Sequence, residues 1–357
     1  MIVRGKDIKM SVSLKEKFFG TIAGCHIGSS MGAAVEGMTY PMIVEKYGYV
    51  DKLLPYEHYR NGWIRDPGTT EDGVERQKLM ITAIMEKQDR VTAEDVKNAW
   101  LNHMNPNAPG WVSEAFEGIL LKMAQAGIPG KEIGRYCDYA GLNSFARSCH
   151  AIGLINAGNV KTAIEDIFEV GQLYQTAFSR GLKWACVTGV AIAAATVDSV
   201  IGAIMDNCDT MVVREIERQL KNTEGFSEIG AMRVFFDDVY QGKGLPYAMS
   251  YANEVVTKAV CIFKMVKGNT KEAILGGVNI GRDTDCIAAI AAGISGALSG
   301  SASIPKEWIQ QVDNATKINK HTNTQRTLAE HADGLYGAFK ARLERANEYY
   351  KLMGAYE

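Results

Sequence analysis

Apolar and polar positions along this chain recur with the period of a helix far more often than with that of a strand. "SLKEKFFGTIAGCHIG" (13–28) opens with Ser13 and Glu16 in capping-box spacing and then runs apolar. "TAEDVKNAWLNHM" (92–104) repeats the device with Thr92 and Asp95. The long stretch from Asn159 to Met205 reads as two or three consecutive helices, punctuated by single glycines. Convincing two-residue alternation is scarce and there are only eight prolines, so the pattern predicts a mostly α-helical protein. No Pro/Ser-rich linker or charge block marks a boundary. Segments 102–111 and 222–230 read as loops inside one unit, and residues 1–357 are expected to form a single domain without internal repeats.

Two stripes of small residues stand out from this pattern. Gly20, Gly24, Gly28 and Gly32 are each four apart, as are Ala289, Gly293 and Ala297, and Ala292, Gly296 and Gly300. A glycine inside a helix costs about 0.5 to 1 kcal/mol relative to alanine, so four in register need a packing reason. The preferred reading is two central helices in close contact, on each other. The alternative is that Gly28 to Gly32 merely end the first helix.

Composition narrows the class. A formal net charge of -2 gives no electrostatic case for nucleic acid or an anionic membrane as partner. The N-terminal twenty residues lack an apolar core of signal-peptide length, and no uncharged run reaches the roughly 18 apolar residues of a membrane span. Seven scattered cysteines without CxxC spacing predict reduced thiols and a cytoplasmic location. The six histidines form no HExxH pair, which argues against the common zinc sites.

Acidic residues adjoin helix starts or glycine turns at three places: Glu36 after the first stripe, Thr70-Glu71-Asp72 before an apolar helix, and Asp283-Thr284-Asp285-Cys286 before the second stripe. Singly, each is explained by capping and by the positive end of a helix dipole. Together they have the composition of a site for hard divalent cations, which take oxygen ligands. Two such turns brought from opposite ends of the chain would supply about four carboxylates and a hydroxyl.

"GTIAGCHIGSSMGAAVEG" (20–37), "PGTTEDGVERQKLM" (67–80) and "NIGRDTDCIAAIAAGISGALSG" (279–300) followed by "IPKEW" resemble, in order, the three hallmarks of the ADP-ribosylglycohydrolases. The resemblance runs from about residue 15 to about 310. It implies an all-α fold, a compact orthogonal multi-helix bundle, that binds two magnesium ions, with manganese as the alternative. It also implies hydrolysis of the bond between ribose C1 and an attached group, on small-molecule or protein-linked ADP-ribosyl substrates. By position, Thr70, Glu71 and Asp72 match the family's first ligand motif, and Asp283, Asp285 and Cys286 its second. Glu36 matches the glutamate near the metal site and ribose. Several residues depart from the family pattern: Glu71 for aspartate, Gly73 for threonine, Ser29 for a Gly-Asp pair, Cys286 for Thr/Ser, and Gln175 in a region without a Thr-His pair. A thiol is a poor magnesium ligand and a better one for softer metals.

The roles expected are these. Asp72, Asp283 and Asp285 ligate metal, with the Thr70 hydroxyl and Cys286 beside them. Glu71 either ligates or acts as general base, and Glu36 orients a ribose hydroxyl or closes over the site. Arg282 pairs with Asp283 or, less favoured, meets a diphosphate. The turn ending at Gly281 offers backbone N–H groups to phosphate. Trp63 and Trp111 are candidates to stack on a base, though loop anchoring is the more common use of such residues. Cys25 and His26 are expected to be packing residues. Two alternatives stay open: hydrolysis of a nucleoside-like or other small conjugate, and a catalytically silent binding or structural protein on the same scaffold.

Overall fold

The computed structural model describes residues 12–57, 62–105, 115–137, 139–197, 199–240 and 248–356. Among these residues the chain is helical almost throughout. The helices are α1 (Leu14–Ala33), α2 (Tyr40–Tyr47), α3 (Asp72–Lys87), α4 (Ala93–His103), α5 (Ala115–Gln125), α6 (Gly130–Ile133), α7 (His150–Ile155), α8 (Val160–Gly171) and α9 (Arg180–Ala195). They continue with α10 (Ile201–Asn207), α11 (Thr210–Asn222), α12 (Ile229–Val239), α13 (Ala252–Met265), α14 (Thr270–Asn279), α15 (Thr284–Ser299), α16 (Lys306–Ile318) and α17 (Leu328–Gly354). The only named sheet among the described residues is a hairpin, β1 (Tyr56–Glu57) pairing antiparallel with β2 (Ile64–Arg65). Two-residue strands carry no readable alternation, which is why the sequence pattern does not disclose them.

The capping signals act largely as read. Thr92 and Asp95 form a complete reciprocal box at α4. At α1, Ser13 accepts from the Glu16 amide at 3.2 Å, whereas the Glu16 carboxylate takes the Ser301 hydroxyl instead of closing the box. The 159–205 stretch resolves into three helices, α8, α9 and the body of α10.

The centre of the molecule is the contact of α1 with α15. A Cβ built on Gly20 would lie 2.5 Å from the Gly300 carbonyl carbon, one on Gly24 2.6 Å from the Ala292 oxygen, and one on Gly28 2.8 Å from Ala288. One on Gly32 would lie 2.5 Å from the Asp285 Cα. The partners descend in number as the glycines ascend, so the helices run antiparallel with touching backbones. The first helix continues through Gly28 and Gly32 to Ala33, so those residues pack it rather than end it. The second small-residue stripe divides its work. Ala292, Gly296 and Gly300 meet α1, while Gly293 lies under the His150 ring of α7, where a Cβ would stand 2.4 Å from Cδ2.

Antiparallel packing has one consequence for chemistry. The C-terminal end of α1 lies beside the N-terminal end of α15, and Thr284 Oγ1 donates to the Gly32 carbonyl at 2.8 Å to hold them so. Glu36, four residues past that glycine, is therefore brought to the mouth of the helix that starts at Thr284.

Candidate functional site

Neither acidic turn serves mainly as a helix cap. Glu71 occupies the N-cap position of α3 and Asp283 that of α15, yet neither side chain makes a capping hydrogen bond. Both are almost wholly buried, as are Asp72, Asp285 and Cys286, with exposures of 1 to 2%. Five such groups under an apolar core require compensation, since a buried charge without a partner is strongly unfavourable.

At the α15 entrance, ligand atoms of Asp283, Asp285 and Cys286 lie within 4.8 Å of one another. Asn143 Nδ2 donates to Asp283 Oδ2 at 2.9 Å. The Cys286 Sγ stands 3.5 Å from Asp285 Oδ2 and 3.5 Å from Arg147 Nη1. Asp283 Oδ1 and Asp285 Oδ1 are both buried and have no hydrogen-bond partner among the described residues. Burial first, and the neighbouring Asp283 second, hold the Asp285 carboxyl well above the usual carboxylate range, with Arg147 opposing. Burial and the two aspartates push the Cys286 thiol up as well. A cation seated here would pull both the other way.

At the α3 entrance the cations are already supplied by the protein. Asp72 Oδ2 receives Arg76 Nη2 and Arg147 Nη2, each at 2.5 Å, and Asp72 Oδ1 receives the Gly73 amide at 2.7 Å. Glu71 Oε1 accepts the Tyr56 hydroxyl and lies 3.3 Å from Arg65 Nε. The β1–β2 hairpin is thus the element that delivers a phenol and a guanidinium to Glu71, and Arg65 in turn lies over the Trp63 ring at 4.2 Å. The Thr70 hydroxyl is turned to the far side, donating to Glu75 Oε1 at 2.9 Å and accepting from Lys78 Nζ at 3.0 Å. Tested against the donors present, a divalent cation fits the Asp283–Asp285 half, where two carboxylate oxygens lack donors. It does not fit the Thr70–Asp72 half, where the acceptor atoms already have partners.

Arg147 ties the two halves together, with Nη2 on Asp72 and Nη1 against Cys286. Gly73 makes room for it: a Cβ there would lie 2.9 Å from Arg147 Cδ. Glu36 is half-buried and faces the same cluster. Burial raises its carboxyl well above the ordinary range, followed by the fields of Asp285, Asp283, Glu71 and Asp72. The motifs from opposite ends of the chain therefore do meet at one place.

The remaining predicted residues fall elsewhere or take other partners. Arg282 pairs with Glu254 of α13, not with Asp283, through Nε at 2.6 Å and Nη2 at 3.0 Å. Its backbone, at φ 75°, exchanges hydrogen bonds with Gly37 and Met38. The Gly281 turn adopts φ 87°, and a Cβ there would stand 2.7 Å from the Tyr40 amide, so glycine is required by the 38–40 backbone. Trp63 packs edge-on to His321 with ring centroids 4.7 Å apart. Trp111 lies outside the described residues. Gln175 donates to the Tyr139 and Leu142 carbonyls at 3.1 and 3.0 Å, fixing the loop that leads to Asn143. His26 is buried and bonded to Gln77, with its pKa lowered to about 3 by burial first.

Sequence reasoning missed Arg65, Arg147, Asn143 and Tyr56. Arg76 was accessible from spacing, since it follows Asp72 by four residues on one helix face.

Comparison with known proteins identifies the fold and the family. A solved structure described as an ADP-ribosylglycohydrolase-related protein complex superposes with a TM-score of 0.64 at 15% identity, covering 92% of this chain and 98% of the other. That likeness establishes the shared all-α fold. An uncharacterized protein of Archaeoglobus fulgidus is 24% identical over 305 residues, 83% of this chain and 92% of that protein. The model of the family described as ADP-ribosylglycohydrolase matches residues 10–344, nearly the whole length. The chain belongs to the ADP-ribosylglycohydrolase family.

Proposed function

We propose that this protein is a metal-dependent hydrolase that cleaves the glycosidic bond at ribose C1 of an ADP-ribosyl conjugate, small or protein-linked. The observation that carries the reading is the buried pair Asp283 and Asp285, each with one oxygen lacking a donor, placed beside Glu36, Glu71 and Asp72. Asp283 and Asp285 would hold the cation, magnesium or manganese. When bound, the cation supplies polarisation of ribose hydroxyls and of water. Cleavage at C1 passes through an oxocarbenium-like transition state and needs both a proton donor and a base. Glu36, whose carboxyl is shifted toward the protonated form by burial and by the carboxylates around it, is suited to bond a ribose hydroxyl or the leaving atom. Glu71, oriented by Tyr56 and Arg65, is the carboxylate placed to take a proton from water. The low dielectric of the surrounding core strengthens each of these interactions.

The test is release of ADP-ribose from ADP-ribosyl-arginine and ADP-ribosyl-serine, set against a nucleoside panel, with manganese or magnesium added. Turnover of an ADP-ribosyl substrate is expected, with Asp285→Asn lowering kcat/KM by on the order of 100- to 1000-fold. Hydrolysis of nucleosides alone would sink the ADP-ribosyl reading.

A further inference from the structure

The two halves of the site are not chemically equivalent, and the difference sets how many cations they can take. We infer that the centre holds one divalent cation per chain, on Asp283, Asp285 and Cys286, and that Arg76 and Arg147 occupy Asp72 in place of a second. This inference rests on the metal-dependent reading above.

The α3 half is saturated by the protein itself. Both guanidiniums converge on one oxygen of Asp72, and the backbone amide of Gly73 takes the other. A cation there would have to displace a bidentate-capable arginine from a site of 1% exposure and leave that arginine buried without its counter-charge. Glycine at position 73 is what admits Arg147, since any Cβ would press on its Cδ and Cγ at 2.9 and 3.1 Å. The α15 half is the opposite case. Its two aspartates each present an oxygen with no donor among the described residues, from side chains 1 and 2% exposed.

Charge bookkeeping points the same way. Glu71, Asp72, Asp283, Asp285 and the thiolate of a ligating Cys286 contribute five formal negative charges, and Arg65, Arg76 and Arg147 return three. One divalent ion neutralises the remainder, whereas two would leave an excess positive charge in a desolvated site. The ligand atoms of Asp283, Asp285 and Cys286 lie within 4.8 Å of one another. That is close to the roughly 4.5 Å separating opposed ligands on one ion with bonds of about 2.0 to 2.3 Å. A thiolate in the set favours manganese, iron or zinc over magnesium.

Chain stripped with a chelator and titrated with Mn2+, with free Mn2+ followed by electron paramagnetic resonance, is expected to bind one ion per chain. Two ions, or none, would overturn the inference. Asp285→Asn should abolish binding, while Asp72→Asn should keep one ion with Kd within about tenfold; loss of binding in Asp72→Asn also overturns it. Cd2+ added to the stripped chain should give an ultraviolet thiolate-to-metal band that Cys286→Ser lacks, and absence of the band from the wild type removes Cys286 from the ligand set. None of these readouts uses substrate. One bound ion without turnover of any ADP-ribosyl substrate defeats the proposed activity alone, and two bound ions with turnover defeat the single-cation inference alone.

Discussion

Lys78 is 1% exposed, and its ammonium is held by Glu75 Oε1 at 2.7 Å, Thr322 Oγ1 at 2.8 Å and Thr70 Oγ1 at 3.0 Å. Glu75 is further satisfied by the Asn323 amide at 2.7 Å, so the pair is stable only while both members are present. Lys78→Met leaves Glu75 without its counter-charge, and a loss of about 3 to 5 kcal/mol is expected in urea unfolding. Because Lys78 also positions Thr70 at the α3 entrance, the variant that folds should lose activity as well. At this scale the carboxylates of the site were legible and their partners largely were not. Asp283 and Asp285 announce themselves because acids before a strongly apolar helix need a reason to be there. Arg147 lies in a run of turns 75 residues from Asp72, with no local pattern to connect them. Arg282 likewise finds Glu254, 28 residues away on another helix, in preference to its own neighbour.

Helices α1 and α15 approach so closely that their glycines cannot be exchanged. Gly28→Ala would set a methyl 2.8 Å from the Ala288 backbone, where no side chain can yield. Overpacking of this kind costs about 1 to 3 kcal/mol or more, and calorimetry should show a clear drop in Tm. The end of α1 also carries the chain to Glu36, so the same variant is expected to lower kcat. Gly202→Ala in α10 is the contrasting case: nothing lies within 4 Å of the added methyl, and stability should rise by up to about 0.5 to 1 kcal/mol. The stripes were readable because a spacing of four is a helix face. The β1–β2 hairpin was not, since its role comes from what Tyr56 and Arg65 reach in space rather than from any periodicity.

Over the whole molecule, one hydrophobic cluster runs from Phe18 to Phe339, and three histidines are sealed within its reach. His26 is lowered to about 3 and His150 to about 4, burial being the first cause in each, and His331 is lowered well below its ordinary value by burial and by His26. Below pH 6.5 the unfolded chain binds protons at these sites that the native chain refuses. Unfolding free energy therefore falls as pH falls, by up to about 1.4 kcal/mol per pH unit for each histidine, until the folded values near 3 to 4 are reached. Neither ring nitrogen of His331 has a partner among the described residues, and the ring faces His26 with centroids 5.7 Å apart. His331→Leu should flatten the acid limb by about one histidine's slope, measured by urea denaturation at pH 7, 6 and 5. A slope equal to that of the wild type would show that His331 is not held neutral.

The antiparallel contact of α1 with α15 also governs the order of events during synthesis. Gly32 and Thr284, which hydrogen bond at the heart of the site, are 252 positions apart in the chain. Their meeting closes 252 of the 357 positions into one loop, the kind of non-local pairing that makes folding slow and late. A nascent chain emerging from the ribosome can build α3 through α9 long before α1 has its partner. Until then four glycines of α1 lack the backbone that fits them, and no binding pocket exists to be occupied. Ligand-dependent protection of this protein should accordingly appear all at once, when about the last fifth of the chain arrives.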